Sequence, residues 1–179
     1  RDGETAGIAV QAALTGHLLL SSLHTNDAPT AVPRLFDLDV PPFLASSTLN
    51  ILLAQRLTRK ICQACIYSYE PGPDFIKAVR EQFARLGIPD GGYKTPKIVY
   101  GGKGCVACNM TGYRGRVGIF EYLEITEPIK KIMAEANFNL SNLKAEARKE
   151  NMGTMFEDGL KKVELGMTTI EEVLRVIQE

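Results

Sequence analysis

Four cysteines in two matched pairs are the residues of this chain best suited to chemistry. Each pair is a C-x-x-C knuckle: Cys62 with Cys65, and Cys105 with Cys108. A knuckle presents two sulfurs to one point, so two knuckles can supply the four thiolates of a tetrahedral zinc site. With all four positions filled by cysteine, no ligand position stays open. The pattern therefore predicts a structural zinc held by all four cysteines rather than a catalytic one.

The distance between the knuckles leaves other interpretations open. Residues 66–104 separate them, whereas a compact zinc ribbon has roughly 15–20 residues there. Either this segment is an insertion that loops out of the site, or the pairs have no common role. Two disulfides or a redox pair are further alternatives, although neither pair lies where a thioredoxin-like turn would place it. A Gly-rich run, residues 101–104, precedes the second knuckle and favours a tight turn around a metal.

The two histidines flank an apolar run, residues 18–23, that we predict to be a buried strand of a parallel sheet. If the run is extended, His17 and His24 lie about 20 Å apart, too far for one metal. His24 follows the carboxyl end of the strand, where open α/β sheets bind ligands. It could donate a hydrogen bond to a phosphate there, and a plain surface histidine is the alternative. His17 lies at the opposite end and is expected to be structural.

The composition of the chain argues against nucleic-acid-binding and membrane-spanning proteins. The chain has 179 residues, 45% of them hydrophobic, and 21 basic residues balance 21 acidic ones. A zero net charge argues against broad electrostatic attraction to nucleic acid or acidic membranes. No apolar run approaches the ~18 residues that span a bilayer. The chain begins at Arg1 without a Met or a signal-like segment, as if cut from something longer.

Hydrophobic periodicity and capping residues predict an α/β fold with a helical carboxyl-terminal third. The predicted strands are residues 18–23 and 116–123. The predicted helices cover residues 4–15, 26–37, 41–60, 74–86, an element from residue 126, 141–150, 154–165, and 168 to the carboxyl terminus, where Thr168 and Thr169 begin overlapping capping boxes.

Five stretches of the chain form recognisable motifs. They are Arg1-Asp2-x-Glu4-Thr5, Ala13-Leu14-Thr15-Gly16-His17-Leu18-x-Leu20-Ser21-x-Leu23-His24-Thr25-Asn26-Asp27, Leu53-Ala54-Gln55-Arg56-Leu57, Gly104-Cys105-x-x-Cys108-x-x-Thr111-Gly112-Tyr113-x-Gly115-Arg116-x-Gly118-Ile119-x-Glu121 and Gly166-Met167-Thr168-Thr169-Ile170-Glu171-Glu172-Val173-Leu174. Together they resemble the secretion ATPase family, and more closely the type II secretion and type IV pilus assembly ATPases. The zinc knuckles favour the secretion and pilus-extension members over the retraction members.

This resemblance implies a fold and a set of site residues. The fold would be the carboxyl-terminal part of a RecA-like P-loop ATPase core (residues 1–60), a tetracysteine zinc-binding insert (61–115), and a strand followed by a small helical subdomain (116–179). The family's histidine box matches residues 17–25. It implies that His17 and His24 contact nucleotide and that His24 senses the γ-phosphate. The family's tetracysteine element matches Cys62, Cys65, Cys105 and Cys108.

The resemblance also implies a homohexameric motor in the cytoplasm. It would hydrolyse ATP with magnesium while docked on an inner-membrane platform protein, and so drive pilin or pseudopilin assembly. The loop G-x-x-x-x-G-K-[ST], the acidic Walker B stretch and the family's amino-terminal domain are not in this sequence. We therefore expect the chain by itself to be inactive as an ATPase.

Two rival classes remain at this point. One is a zinc-stapled nucleic-acid reader, suggested by Arg114 and Arg116 beside Tyr113. The zero net charge and the lack of an aromatic-basic stripe argue against it, so we expect no nucleic-acid partner. The other is a partner-docking adaptor that uses the zinc subdomain and binds no nucleotide.

Overall fold

The computed structural model describes residues 2–89 and 93–178. The chain folds into two compact units, one of Arg1–Gln55 with Phe120–Met155 and one of Arg56–Ile119 with Phe156–Glu179. We call them unit 1 and unit 2. In chain order the elements are α1 (Gly3–Leu14), α2 (Ala31–Phe36), α3 (Pro42–Thr48), β1 (Ile51–Ile61), β2 (Ile66–Tyr69), α4 (Pro73–Arg85), β3 (Val99–Gly102), β4 (Tyr113–Glu124), α5 (Glu127–Ala134), α6 (Leu140–Lys149), α7 (Met155–Glu164) and α8 (Ile170–Gln178).

Unit 1 is mainly helical. Its core takes Ile129 and Met133 from α5 and Leu143 from α6, all fully buried. Residues of the α2 region and the end of β4 complete this core, among them Val32 and Leu123. These apolar positions recur every three or four residues along α5 and α6, so each helix turns one face inward.

Unit 2 contains the cysteines and a small antiparallel pair, β2 with β3. Helix α4 lies between these two strands in sequence and buries Phe75, Val79 and Phe83 on one face. The ring of Phe83 meets that of Phe156 at 5.2 Å, edge to face. Aromatic pairs favour this arrangement, and burial of both rings contributes to the core of unit 2.

The predicted strand over residues 18–23 is wrong. These residues form neither strand nor helix, and Leu18 and Leu20 are 87% and 90% exposed. A strand is stable only when a neighbouring strand takes up its backbone hydrogen bonds. Within the described residues this run has no such neighbour, so its apolar composition does not produce a strand.

The predicted helix over residues 41–60 is wrong beyond its first turns. Helix α3 ends at Thr48, and β1 follows. The leucines that resemble a helical stripe instead lie on a strand of alternating exposure, in which Leu53 and Leu57 are exposed and Leu52 is half-buried. Strand β1 forms because β4 lies beside it: the Ile125 N–H donates to the Asn50 carbonyl at 3.0 Å. The spacing of apolar residues within one segment does not predict pairing with a strand that is distant along the chain.

The remaining elements agree with the sequence more closely. Strand 116–123 is confirmed within β4, and the helices predicted over 4–15, 74–86, from 126, 141–150, 154–165 and from 168 are confirmed with small shifts at their ends. The helix predicted over 26–37 is shorter and begins at Ala31, because the Asp27 carboxylate accepts the Thr30 N–H at 2.8 Å and holds a turn there.

The three segments proposed from the resemblance divide the chain by role, whereas the two units divide it by packing. That division by role stays a prediction. Among the described residues, no helix combines the length and the apolar character needed to cross a bilayer.

Candidate metal centre

The four cysteine sulfurs lie together in unit 2, all within 4.8 Å of one another. The Sγ atoms of Cys62 and Cys105 are 3.9 Å apart, as are those of Cys65 and Cys108. Within the second knuckle, Cys105 and Cys108 place their sulfurs 3.7 Å apart. Each sulfur of the first knuckle therefore has a partner from the second, and the two pairs form one cluster.

These distances suit one tetrahedral metal ion. Four thiolates at the usual Zn–S distance of about 2.3 Å would place neighbouring sulfurs about 3.8 Å apart. A disulfide would require about 2.05 Å instead, and all four cysteines are free. Thiolate sulfur is a soft donor that selects zinc over magnesium or calcium. The cluster fits a closed, four-sulfur site with no position left for substrate.

Strand pairing closes the long gap between the knuckles. Strand β2 begins at Ile66, directly after the first knuckle, and β3 ends at Gly102, just before the second. Ile66 pairs with Gly102, and the Lys103 N–H donates to the Cys65 carbonyl at 3.0 Å. The segment between the two strands therefore leaves and returns at adjacent points. This confirms the interpretation that it is an insertion between two halves of one cluster.

Glycines allow the second knuckle to approach the strands closely. A Cβ on Gly102 would lie 2.1 Å from the Gly112 carbonyl oxygen, and one on Gly112 would lie 2.6 Å from the Gly102 carbonyl oxygen. Gly112 also has φ +78°, which disfavours any other residue. The Cys62 N–H donates to the same Gly112 carbonyl at 2.9 Å. This backbone contact holds the two knuckles face to face before any ion is considered.

Backbone N–H groups prepare one of the sulfurs as a thiolate. Cys108 Sγ accepts from the Cys105 N–H at 3.2 Å and from the Gly112 N–H at 3.3 Å. Burial opposes ionisation of Cys108, but these donors outweigh it and lower the pKa of this thiol to about 6. Burial and the neighbouring thiols raise the pKa of Cys65. The Cys108 sulfur is thus prepared to bind a cation as a thiolate.

The two histidines lie outside this cluster, in unit 1. Both side chains are exposed, and Nδ1 of His17 lies 2.9 Å from the Thr15 hydroxyl. Just beyond His24, the Ala28 N–H donates to Glu121 at 2.8 Å, and Asp27 pairs with Lys144 at 2.7 Å. These bonds fix the chain immediately after the histidine box. The nucleotide roles of His17 and His24 stay predictions.

The sequence of the chain is similar to those of known secretion proteins. The family described as "Type II/IV secretion system protein" matches residues 1–175. The chain belongs to this family. Two relatives match it over nearly its whole length: the type IV pilus assembly ATPase TfpB of Acinetobacter baylyi, 42% identical over 99% of the chain, and the type II secretion system ATPase E of Vibrio cholerae, 44% identical over 100%.

This member of the secretion system family covers only 29% of the first relative and 33% of the second. The chain therefore spans about a third of the length of the curated relatives that it matches. Among solved structures, the Legionella pneumophila ATPase DotB superposes with a TM-score of 0.61 at 17% identity, over 99% of this chain and 36% of that one. The likeness shows that the two proteins share a fold over this region.

Sequence reasoning missed a polar clamp in the family's carboxyl-terminal signature. Glu172 is almost fully buried and accepts the Arg59 N–H at 3.1 Å, the Arg59 guanidinium at 2.5 Å and the Arg175 guanidinium at 3.0 Å. Thr168 donates to the Arg59 carbonyl, and the hydroxyls of Thr169 and Tyr113 meet at 3.0 Å. The sequence of this signature predicts helix capping, yet in the structure Thr168 and Glu172 also bind Arg59 near the end of β1. In the sequence, only the run of polar residues Thr168, Thr169, Glu171 and Glu172 could have indicated such a set of side-chain bonds.

Glu121 is a second residue that sequence reasoning assigned no role. Its buried carboxylate accepts the Ala28 N–H at 2.8 Å and the Met155 N–H at 3.1 Å. Burial raises the pKa of Glu121, with the two N–H donors acting in the opposite direction. The carboxylate ties β4 to the segment that follows the histidine box, which makes Glu121 a positioning residue for that segment.

Proposed function

We propose that Cys62, Cys65, Cys105 and Cys108 bind one structural zinc ion. The spacing of their sulfurs, 3.7 to 3.9 Å in three pairs, is the observation that supports this most directly. Bound there, zinc would supply a cross-link between the knuckles and no open position for catalysis. Because the folded chain gathers the four sulfurs and the unfolded chain does not, metal binding would stabilise unit 2.

Metal analysis tests this proposal. The purified chain should contain one zinc per molecule, and Cys105→Ser should lose it because three sulfurs and a hydroxyl bind zinc far more weakly. Val106→Ser is the matched control, since Val106 lies in the same knuckle but its side chain is 90% exposed. Equal zinc content in the two variants, or none in the wild type, would contradict the proposal.

We infer further that the chain is the carboxyl-terminal part of an ATP-driven motor for type II secretion or type IV pilus assembly. The match to pilus assembly and secretion ATPases over 99% and 100% of the chain supports this. In the complete protein, His24 would sense the γ-phosphate and His17 would contact the nucleotide, while ATP and magnesium would be held mainly by residues outside this sequence. Glu121 and Asp27 would keep the histidine box in place.

The complete motor is proposed to be a cytoplasmic homohexamer. It would be peripheral to the inner membrane through a platform protein and would assemble pilins or pseudopilins. The adaptor class differs from it in one respect, because an adaptor would bind its partner without using nucleotide. Nucleic acid is the least suitable partner, since the net charge of the chain is zero.

ATP hydrolysis separates the motor from the adaptor. The complete protein should release phosphate from Mg-ATP, and His24→Ala should lower kcat by about 10²-fold or more, as loss of a transition-state donor does. Ser22→Ala, an exposed neighbour, is the control. The present chain alone should release no phosphate above background, because it lacks the phosphate-binding Lys and the acidic metal ligands. A complete protein without turnover would favour the adaptor.

A further inference from the structure

Unit 2 contains a cavity of about 550 Å³ whose lining is unusually basic. Four arginines and two apolar residues line it: Arg56, Leu57, Arg59, Arg116, Arg175 and Val176. We call it the arginine cavity. Its residues come from β1, β4 and α8, so three elements that are remote in sequence each contribute arginine to its lining. The volume lies within the range of small-molecule sites, roughly 300–1,000 Å³.

Two of these guanidinium groups are held in fixed positions. Glu172 accepts from both Arg59 and Arg175, and the Arg59 guanidinium also stacks over the Tyr113 ring at 4.4 Å. Even so, the side chains of Arg59 and Arg175 remain 50% and 44% exposed. Each guanidinium has five N–H donors, more than one shared carboxylate can accept. The clamp therefore orients two cations at the cavity before a ligand arrives.

The charge of the cavity defines what it can bind. Among its lining residues none is acidic, and the Glu172 carboxylate carries a single negative charge that Arg59 and Arg175 share. Cations that line one cavity repel one another, and a bound anion would offset that repulsion. We propose that the arginine cavity binds a small anion that carries phosphate groups.

Phosphate fits better than a lone carboxylate for two reasons. Its oxygens accept bidentate pairs from several guanidinium groups at once, and its charge approaches two. An extended acidic peptide would place successive side chains of one face roughly 6–7 Å apart, which brings few of its charges to a cavity of this volume. Leu57 and Val176 supply the apolar wall that such sites commonly add. The proposal does not depend on the motor role, since these residues lie apart from the histidine box in sequence.

Calorimetric titration of the zinc-loaded chain with inorganic pyrophosphate tests the proposal. We expect saturable one-to-one binding that weakens as salt rises. The double variant Arg56→Gln with Arg116→Gln should bind about tenfold more weakly or worse, because each removes a charged hydrogen-bond donor. These two arginines are chosen because Arg59 and Arg175 also hold Glu172. Arg116→Lys should weaken binding too, since lysine keeps the charge but loses the planar fork.

Arg114→Gln is the matched control. Arg114 is exposed on the same strand, two residues from Arg116, and does not line the cavity. Its affinity for pyrophosphate should equal that of the wild type, and thermal unfolding of all variants should establish that they are folded. The proposal is overturned if pyrophosphate shows no saturable binding, if Arg114→Gln weakens it as much as the double variant, or if a poly-glutamate peptide competes for the cavity with higher affinity.

Discussion

At the scale of single residues, the buried Glu172 carboxylate binds two arginines of unit 2, Arg59 and Arg175. Burial would raise its pKa, but the bonds from Arg59 and Arg175 outweigh burial and lower the pKa to about 2. The ordinary value for glutamate is about 4.3. The folded state therefore favours the ionised carboxylate, and this preference contributes to the free energy of unfolding.

Glu172→Gln should lower the free energy of unfolding at neutral pH by about 1.5–3 kcal/mol, the range for hydrogen bonds to charged groups. Because the folded pKa is depressed, the ionic contribution is complete above about pH 4.5 and is lost as pH falls towards 2. The difference between wild type and variant should shrink over that window. Urea midpoints measured from pH 2 to pH 6 would show it, and any acid release of the proposed zinc would be common to both proteins.

Glu171→Gln provides the comparison for this measurement. Glu171 is the exposed neighbour of Glu172, and its loss should leave the acid profile of the wild type intact. If both glutamines give the same profile, the clamp has no role in stability.

Some of these site residues could be predicted from the sequence and others could not. The four cysteines were identified because two C-x-x-C pairs have few other uses. The partners of Glu172 were not, because Arg59 lies 113 positions away in sequence. The position of four arginines at one cavity is likewise not predicted from sequence, since no spacing in the chain relates β1, β4 and α8.

At the scale of elements, the pairing of β2 with β3 makes one site from two distant knuckles. Beside this pairing, the backbones of Gly102 and Gly112 approach so closely that a Cβ on either would overlap the other's carbonyl oxygen. Any side chain at position 112 meets two obstacles, the carbonyl of Gly102 and a left-handed φ.

Gly112→Ala should therefore cost about 1–3 kcal/mol of stability, the usual range for such backbone strain, and should reduce zinc retention as the knuckles separate. Gly153→Ala is the matched control, because a Cβ there meets nothing within 4 Å and φ is not left-handed. Urea unfolding and zinc content would be measured on both. A Gly112→Ala protein as stable as the control, with full zinc, would show that the contact is not required.

The spacing of apolar residues predicts the wrong secondary structure for two segments. Residues 49–57 suit a helix by the spacing of their leucines and a strand by their alternate burial. The strand forms because β4 offers hydrogen-bond partners, a tertiary effect. The opposite holds for residues 18–23, which look like a strand but have no partner within the described chain. Whether a short apolar run forms a helix, a strand or neither depends on the elements that pack beside it.

At the scale of the whole molecule, the zero net charge conceals an uneven distribution. Basic groups meet at the arginine cavity, while the sequence as a whole carries equal numbers of acidic and basic residues. The family and the α/β class could be predicted from sequence because several motifs agree across the chain. The two-unit organisation could not, since its boundaries fall inside β1, β4 and α7.

The adjacent entry and exit points of the segment between β2 and β3 have a consequence for recognising such centres in other chains. The number of residues between two C-x-x-C pairs says little about whether they share an ion, because a pair of short strands can bridge any interval. A search template that fixes this interval would overlook chains built in this way. One that asks for apolar strand-forming residues directly after the first pair and glycines around the second would find them.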